Sequence, residues 1–150
     1  MDKKCCFAGH NEIFEIDLQD KLNNILIKLI KEENVKEFYV GNYGEFDKLV
    51  YRTLYKIKNN EFNDIIIHIT VPYITNELKH KIDCFEIAYK DIIIPEFKES
   101  IPMKLKILKT NQYMVDHGDY LVCYVKHSWG GAATTLEYAQ KRNKIRILKI

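Results

Sequence analysis

Hydrophobic and polar positions along the chain follow two alternating patterns. Short apolar runs typical of buried strands cover residues 4–8, 37–40, 64–70, 120–125 and 145–150. Apolar residues spaced three and four apart, which predict amphipathic helices, cover residues 18–30, 43–58, 103–115 and 134–141. Strands that alternate with helices in this way predict an α/β fold with a mainly parallel sheet.

Residues 72–102 carry a weaker pattern, which Pro72, Pro95 and Pro102 interrupt. A short strand at either 84–89 or 91–94 is compatible with this pattern. The chain contains no linker, internal repeat or low-complexity tract, and 150 residues are enough to bury one core. We therefore expect a single domain over residues 1–150.

Composition and charge narrow the class of protein. An apolar content of 47% and a charged content of 29% are ordinary for a globular domain. The net charge of +2 and the absence of a dense basic patch argue against a nucleic-acid partner. The apolar runs are too short to span a membrane, and the N-terminus lacks the apolar stretch of a signal peptide. We expect a cytoplasmic protein.

The four cysteines are expected to be free thiols. Cys5, Cys6, Cys84 and Cys123 lack the CxxC spacing of zinc sites, and the cytosol keeps thiols reduced. Cys5 and Cys6 are neighbours in a predicted strand, so their side chains should face opposite sides of the sheet. The sequence therefore predicts neither a metal site nor a disulfide.

Five of the six glycines follow a predicted strand directly or lie in the turn after it. Ligands of parallel α/β sheets bind at the carboxyl ends of the strands. We therefore expect three turns to meet at one rim of the sheet. Asp47, in the second turn, either accepts hydrogen bonds from ribose hydroxyls or only stabilises the first turn of a helix. The candidates in the first two turns are Gly9, His10, Asn11, Gly41, Asn42, Tyr43, Gly44 and Asp47.

The third turn contains Gly130-Gly131 and is the strongest candidate for an anion site. A glycine pair lets another molecule approach the backbone closely, and the unpaired amides and dipole of the helix that follows attract phosphate. Thr134 and Thr135 add hydroxyl groups. An ordinary tight turn with threonine as the N-cap residue explains the same pattern without a ligand.

Three more side chains near this turn are candidates. Glu137 lies three residues beyond Thr134 and suits sugar hydroxyls or acid/base chemistry better than phosphate. Asn111 can pair with a base or a ribose, and Trp129 either stacks on a base or packs against the sheet. A phosphorylated ribose or a nucleotide derivative is the implied ligand. We expect no cofactor, because the dinucleotide fingerprint and the Walker P-loop are absent.

Taken together, these segments resemble the SLOG superfamily, named for Smf/DprA and Lonely Guy proteins, and within it the YpsA-like group. Residues 130–137, GGAATTLE, are similar to the P-G-G-x-G-T-x-x-E signature of Lonely Guy enzymes. Residues 110–116, TNQYMVD, look like the R-N-x-x-M-V-D segment of the YpsA-like group, and residues 5–10, CCFAGH, look like its opening C-C-F-x-G-H. The resemblance implies a Rossmann-like three-layer domain that binds nucleotides or nucleotide-derived signals, often as a homodimer.

One departure from this pattern bears on activity. Lonely Guy enzymes are phosphoribohydrolases, and the resemblance assigns catalysis to an arginine and to the glutamate at Glu137. Thr110 stands at the arginine position, so the permanent cation that would hold phosphate is missing. We therefore predict a protein that binds a nucleotide-derived small molecule as a sensor or sequestering protein. The alternative is a nucleoside-monophosphate phosphoribohydrolase, an N-glycosidase that uses Glu137.

Overall fold

One parallel sheet organises the chain in the computed structural model, which describes residues 2–98 and 100–150. Its strands are β1 (Lys3–Gly9), β2 (Val35–Val40), β3 (Ile66–Thr70), β4 (Ile92–Ile93), β5 (Tyr120–Tyr124) and β6 (Arg146–Lys149). All pairings are parallel, in the order β4-β3-β2-β1-β5-β6. Strands β2, β3 and β4 therefore follow one another on one side of β1, and β5 and β6 lie on its other side.

Helices cover both faces of the sheet and give the predicted three layers. They are α1 (Leu18–Glu32), α2 (Glu45–Asn60), α3 (Asn76–Asp83), α4 (Met103–His117) and α5 (Gly131–Arg142). The pair α1 and α2 packs on one face, and the pair α4 and α5 packs on the other. The predicted Rossmann-like α/β fold is confirmed, and the sheet is entirely parallel. Within the described ranges, no helix is both long enough and apolar enough to cross a membrane.

Strand β1 lies at the centre of the sheet and contributes to both cores. The side chains of Cys5 and Phe7 pack into the core under α1 and α2, whereas Cys6 and Ala8 pack into the core under α4 and α5. Successive side chains of a strand point to opposite faces, so the buried middle of a central strand, here residues 5–8, is apolar at every position. The prediction for the two neighbouring cysteines is confirmed.

The segment with the weak sequence pattern contains an element that the pattern did not reveal. Helix α3 begins after Thr75, whose Oγ1 accepts a hydrogen bond from the backbone N–H of Leu78 at 3.1 Å. Leu78 is the one buried residue of this helix. Helix α3 is only eight residues long, and its apolar spacing depends on the single pair Leu78 and Ile82, which is too short a repeat to detect. Of the two alternatives for a short strand, the one at 91–94 matches β4, and the one at 84–89 is wrong.

Helix α2 begins later than predicted and helix α5 begins earlier, because a glycine with a positive φ directly precedes each of them. Gly44 has a φ of 95°, and α2 starts at Glu45 rather than at residue 43. Gly130 has a φ of 92°, and α5 starts at Gly131 rather than at residue 134. L-residues with a side chain rarely adopt such angles, so each position requires glycine. Gly130 is the N-cap residue of α5, and the alternative with threonine in that role is wrong.

Candidate ligand-binding site

The carboxyl ends of β1 and β5 form the floor of a cavity of about 460 Å³. These neighbouring strands pair Gly9 with Tyr124, and they lie where the direction of sheet construction reverses. Ligands of open α/β sheets bind at this reversal. The strands contribute the apolar side chains of Phe7 and Tyr124 to this floor, and Met114 of α4 lines the cavity beside them.

Most of the predicted site residues meet in this cavity. Five of them do not line it, namely Gly41, Asn42, Gly44, Thr134 and Glu137. The loops after β1 and β5 thus converge as expected, whereas the loop after β2 contributes through only part of its length. The predicted residues that line the cavity are Gly9, His10, Asn11, Tyr43, Asp47, Asn111, Trp129, Gly130, Gly131 and Thr135.

Hydrogen bonds hold the loop after β1 against the start of α2. The backbone N–H of Glu45 donates to the carbonyl oxygen of Asn11 at 2.9 Å. The Glu45 carboxylate in turn accepts from the backbone N–H of Ile13 at 3.2 Å. A Cβ at Gly44 would lie 2.4 Å from the side-chain oxygen of Asn11, so the two loops touch at that glycine. The cavity wall made by these loops is therefore preformed.

Two of the glycines at this rim have packing partners inside the protein. A Cβ at Gly9 would lie 2.1 Å from ring carbons of Phe46, which is fully buried. A Cβ at Gly41 would lie 2.7 Å from Oδ2 of Asp47. Contacts this short do not occur for real side chains, so Gly9 is needed beside the buried Phe46 ring even without a ligand, and a side chain at Gly41 would displace the Asp47 carboxyl group. Their placement after strands is thus explained by packing of the chain on itself.

Gly131 differs from these glycines because nothing in the protein occupies the space beside it. Apart from its chain neighbours and the backbone of its own helix, no heavy atom lies within 4 Å of the position where its Cβ would be, and the residue lines the cavity at the start of α5. The first turn of α5 contains no Asp or Glu. Its leading amides have no partners within the helix, and the positive end of the helix dipole lies there. The arrangement leaves an open position for an anion.

The two threonines of α5 bond back to their own helix. Thr134 Oγ1 donates to the carbonyl oxygen of Gly130 at 3.0 Å, and Thr135 Oγ1 donates to that of Gly131 at 2.8 Å. Thr135 is buried and lines the cavity, whereas Thr134 is exposed. Both hydroxyl protons are therefore engaged, and only the lone pairs of Thr135 remain to face a ligand.

Three rings from the loops after β1 and β5 stack face to face. The His10 and His127 rings lie 3.8 Å apart at 15°, and the His127 and Trp129 rings lie 3.9 Å apart at 18°. His10 Nε2 accepts a hydrogen bond from the backbone N–H of Lys126 at 2.8 Å, which places the proton of the neutral ring on Nδ1. Burial lowers the pKa of His10, and His127 and Lys126 lower it further. A neutral His10 thus anchors the stack.

The ring stack decides between the two alternatives for the side chain of Trp129. Trp129 does not pack against the sheet: it lies on His127, remains 69% exposed and lines the cavity. His127 is half-buried between two rings, and its Nδ1 is buried without a hydrogen-bond partner in the described part of the chain. Sequence reasoning did not include His127 or Lys126 among the site residues. Their position between β5 and Trp129 was the available signal.

Asp47 brings a carboxyl group with an unusual proton affinity to the cavity wall. Its Oδ2 accepts a hydrogen bond from the backbone N–H of Tyr43 at 2.9 Å. Burial raises the pKa of Asp47 to about 7, and the Tyr43 N–H opposes that rise. None of the ion pairs found in residues 2–98 and 100–150 involves Asp47. At neutral pH this group can donate or accept a hydrogen bond.

Helix α4 supplies the amide of Asn111 to the cavity and no cation beside it. Thr110, at the position where the resemblance has arginine, is buried and donates its hydroxyl to the carbonyl oxygen of Lys106 at 2.7 Å. The neighbouring Lys109 is exposed to solvent. The only lysine or arginine that lines the described cavity is Lys126, whose Nζ lies 3.5 Å from a carboxylate oxygen of Glu15.

Glu137 lies apart from the cavity. It lies two positions beyond Thr135, which corresponds to about 200° around a helix, so the two side chains leave α5 in nearly opposite directions. The Glu137 side chain is 68% exposed and pairs with Lys141 at 3.4 Å. It lines a shallow depression with Ser128 and Gln140. Its catalytic role stays a prediction. Within the described ranges, no three His, Cys, Asp or Glu side chains form a group able to hold a metal ion.

Comparisons with known proteins place the fold. No family model matches the chain, and no curated protein is similar to it. Among solved structures it is similar to DNA processing protein A (DprA) from Helicobacter pylori, a structure that addresses a unique single-stranded DNA binding mode, with 17% identity and a TM-score of 0.67. It is also similar to DprA from Streptococcus pneumoniae, with 12% identity and a TM-score of 0.69.

The likeness to the two DprA structures concerns the fold. Each alignment covers 98% of this chain, which spans 64% of the Helicobacter protein and 50% of the Streptococcus protein. The fold is therefore that of the DprA (Smf) proteins named in the resemblance. The finer likeness to the YpsA-like group, the ligand and the dimer stay predictions.

Proposed function

We propose that this protein binds a nucleotide-derived small molecule, a phosphorylated ribose or nucleoside, at the carboxyl ends of β1 and β5. The observation that carries the proposal is the open start of α5 at Gly131, which faces a cavity and has no neighbour inside the protein. A phosphate group fits there because helix amides and the helix dipole both favour an anion. The protein would act as a sensor or would sequester its ligand.

The rest of the cavity suits the remainder of such a ligand. Its volume of about 460 Å³ lies in the range typical of small-molecule sites. Asp47, Asn111 and Asn11 supply polar groups for ribose hydroxyls, and Phe7 and Tyr124 supply an apolar floor. Few but well-placed polar groups in an apolar pocket are what small-ligand sites require.

A single nucleotide fits this charge distribution better than a nucleic-acid strand. Among the residues that the structure describes, Lys126 is the only lysine or arginine that lines the cavity, and its ammonium group is already paired with the carboxylate of Glu15. A strand presents many phosphates, and its affinity depends on several cations that track them. The single-stranded DNA binding of the Helicobacter DprA is therefore not carried over to this chain.

Hydrolysis remains the alternative, and no geometric observation favours it. The carboxylate of Glu137 is separate from the cavity, and Thr110 offers no cation there. Release of a free base from a nucleoside monophosphate, lost in Glu137→Gln, would establish the hydrolase.

The proposal can be tested by introducing one negative charge at the start of α5. Gly131→Asp introduces a carboxylate where the protein has free space, and it should stabilise the helix slightly, by about 0.3–1 kcal/mol. The same carboxylate repels an anion, so the affinity for AMP and for ribose 5-phosphate in isothermal titration calorimetry should fall at least tenfold. Gly131→Asn is the matched control without the charge.

Two results would contradict the proposal. One is the absence of calorimetric binding and of thermal stabilisation with any nucleoside monophosphate or ribose 5-phosphate, because a bound ligand must raise stability with its concentration. The other is equal affinity in Gly131→Asp and Gly131→Asn. A single-stranded oligonucleotide that binds more tightly than the mononucleotides would instead establish the nucleic-acid function.

A further inference from the structure

We infer that Trp129 is the platform on which the ligand's heteroaromatic base stacks, so that the site selects a nucleotide over a sugar phosphate. This inference rests on the proposed function, since it assigns the base of the ligand whose phosphate lies at α5. It begins from the observation that a large aromatic side chain, 69% exposed, lines the mouth of the cavity.

The platform is held rigid by a series of ring contacts that starts in the core. Tyr124 is buried at the end of β5, and its ring meets the edge of His10 at a centroid distance of 5.8 Å. The rings of His10, His127 and Trp129 then follow face to face at 3.8 and 3.9 Å. Trp129 ends this series, so one of its faces is covered by His127 and its remaining surface is exposed.

This support matters because Trp129 precedes two glycines. An unsupported side chain in such a loop would lose rotamer freedom when a ligand binds, and that loss opposes binding. The stack has already fixed the indole in the free protein. Aromatic faces attract nucleobases whatever their hydrogen-bonding edge, so a fixed indole favours a base without choosing strongly among bases.

The position of Trp129 also matches the covalent structure of a nucleotide. Its base and its 5′-phosphate are joined through one ribose, so the two subsites must be close neighbours. Trp129 directly precedes Gly130, the N-cap residue of α5, and both line the same cavity. The indole is thus adjacent to the proposed phosphate position.

Two other exposed aromatic rings line the cavity, but they are weaker candidates for stacking on the base. Phe14 and Tyr43 are 81% and 64% exposed. The ring contacts found in the described part of the chain include neither of them. Trp129 is therefore the one of the three whose orientation the aromatic stack fixes.

The chain contains one tryptophan, so fluorescence excited at the red edge of the absorption band, where its ten tyrosines scarcely absorb, reports on Trp129 alone. We expect AMP, GMP, CMP and UMP to quench this fluorescence on binding, and ribose 5-phosphate to leave it unchanged. Loss of base stacking corresponds to roughly 5- to 150-fold in Kd. Ribose 5-phosphate should therefore bind more weakly than AMP by a factor in that range.

Calorimetry on two variants separates the effect of stacking from that of a change in loop shape. Trp129→Phe keeps an aromatic face and should bind AMP within a few-fold of the natural protein. Trp129→Leu lacks that face and should bind AMP roughly 5- to 150-fold more weakly. Affinity for ribose 5-phosphate should be the same in all three proteins. Because Trp129 is exposed, thermal unfolding should confirm that both variants remain folded.

The outcomes distinguish this inference from the proposed function. Equal binding of AMP and ribose 5-phosphate without quenching overturns the stacking role and leaves the phosphate site in place. Equal loss of both ligands in Trp129→Leu also overturns it, because the residue would then act on the loop rather than on the base. Failure of all five ligands to bind overturns both proposals.

Discussion

The same substitution at two glycines of the site should have opposite effects on stability. In Gly9→Ala the new methyl group would lie 2.1 Å from ring carbons of Phe46, which is 1.3 Å short of the 3.4 Å where ordinary contact begins. Phe46 is fully buried and cannot swing aside into solvent. Overpacking of this kind costs ~1–3 kcal/mol, and the depth of the overlap points to the upper end.

In Gly131→Ala the methyl group meets no atom within 4 Å, and the residue does not have a positive φ. Replacing a glycine at such a position reduces the freedom of the unfolded chain and stabilises the protein by about 0.4–1 kcal/mol. Gly131→Ala is thus the matched control for Gly9→Ala. The new methyl group should weaken ligand binding, since it fills the open position at the start of α5.

Urea and thermal unfolding measure both effects. For a chain of this size, 3 kcal/mol lowers the Tm by roughly 6–12 °C, so Gly9→Ala should be clearly separated from the natural protein. Phe46→Leu added to Gly9→Ala should recover part of the loss, and the double-mutant cycle should show coupling between the two positions. Strictly additive costs, or equal destabilisation by Gly9→Ala and Gly131→Ala, would refute the reasoning.

Further predictions concern titration, thiol access and catalysis. The folded pKa of Asp47, about 7, lies above its ordinary value of 3.8, so the folded state keeps a proton that the unfolded state has lost between those values. The contribution of Asp47 to stability therefore falls as the pH rises from about 4 to 7. Asp47→Asn should reduce the decline in Tm over that window, and an unchanged decline would contradict the assignment. A thiol reagent should modify Cys84 rapidly in the native protein and the three buried cysteines only after denaturation, whereas fast reaction of all four would contradict their burial. In Glu137→Gln the affinity for AMP should change less than twofold, because the side chain lies outside the cavity; a large loss would place Glu137 in the site.

Much of the fold could be predicted from local pattern. Strands covered by helices on both faces must be apolar at nearly every position, so β1 and β5 stand out as short apolar runs. Helices with one buried face, such as α1, stand out by their spacing. Where a helix is short, as in the eight residues of α3, the pattern repeats too few times to be informative.

The convergence of the loops after β1 and β5 on one cavity was also predictable in outline. Glycines placed after strands, together with the shared edge of parallel strands, were enough to bring the loops at Gly9 and Gly130 into one cavity. The roles of individual residues were less accessible. Whether a glycine faces a ligand or a neighbouring side chain depends on residues far away in the chain, as Gly9 and Phe46 illustrate.

Local order in the sequence therefore determined which segments are strands and helices and at which edge the loops gather, because burial imposes a period on neighbouring residues. Only the tertiary structure decided that His10 stacks beneath His127 and Trp129, that Asp47 is desolvated, and that Glu137 is separate from the cavity. Those features depend on contacts between residues far apart in the sequence, or on which side of a helix faces the sheet. No periodic signal in a single sequence encodes them.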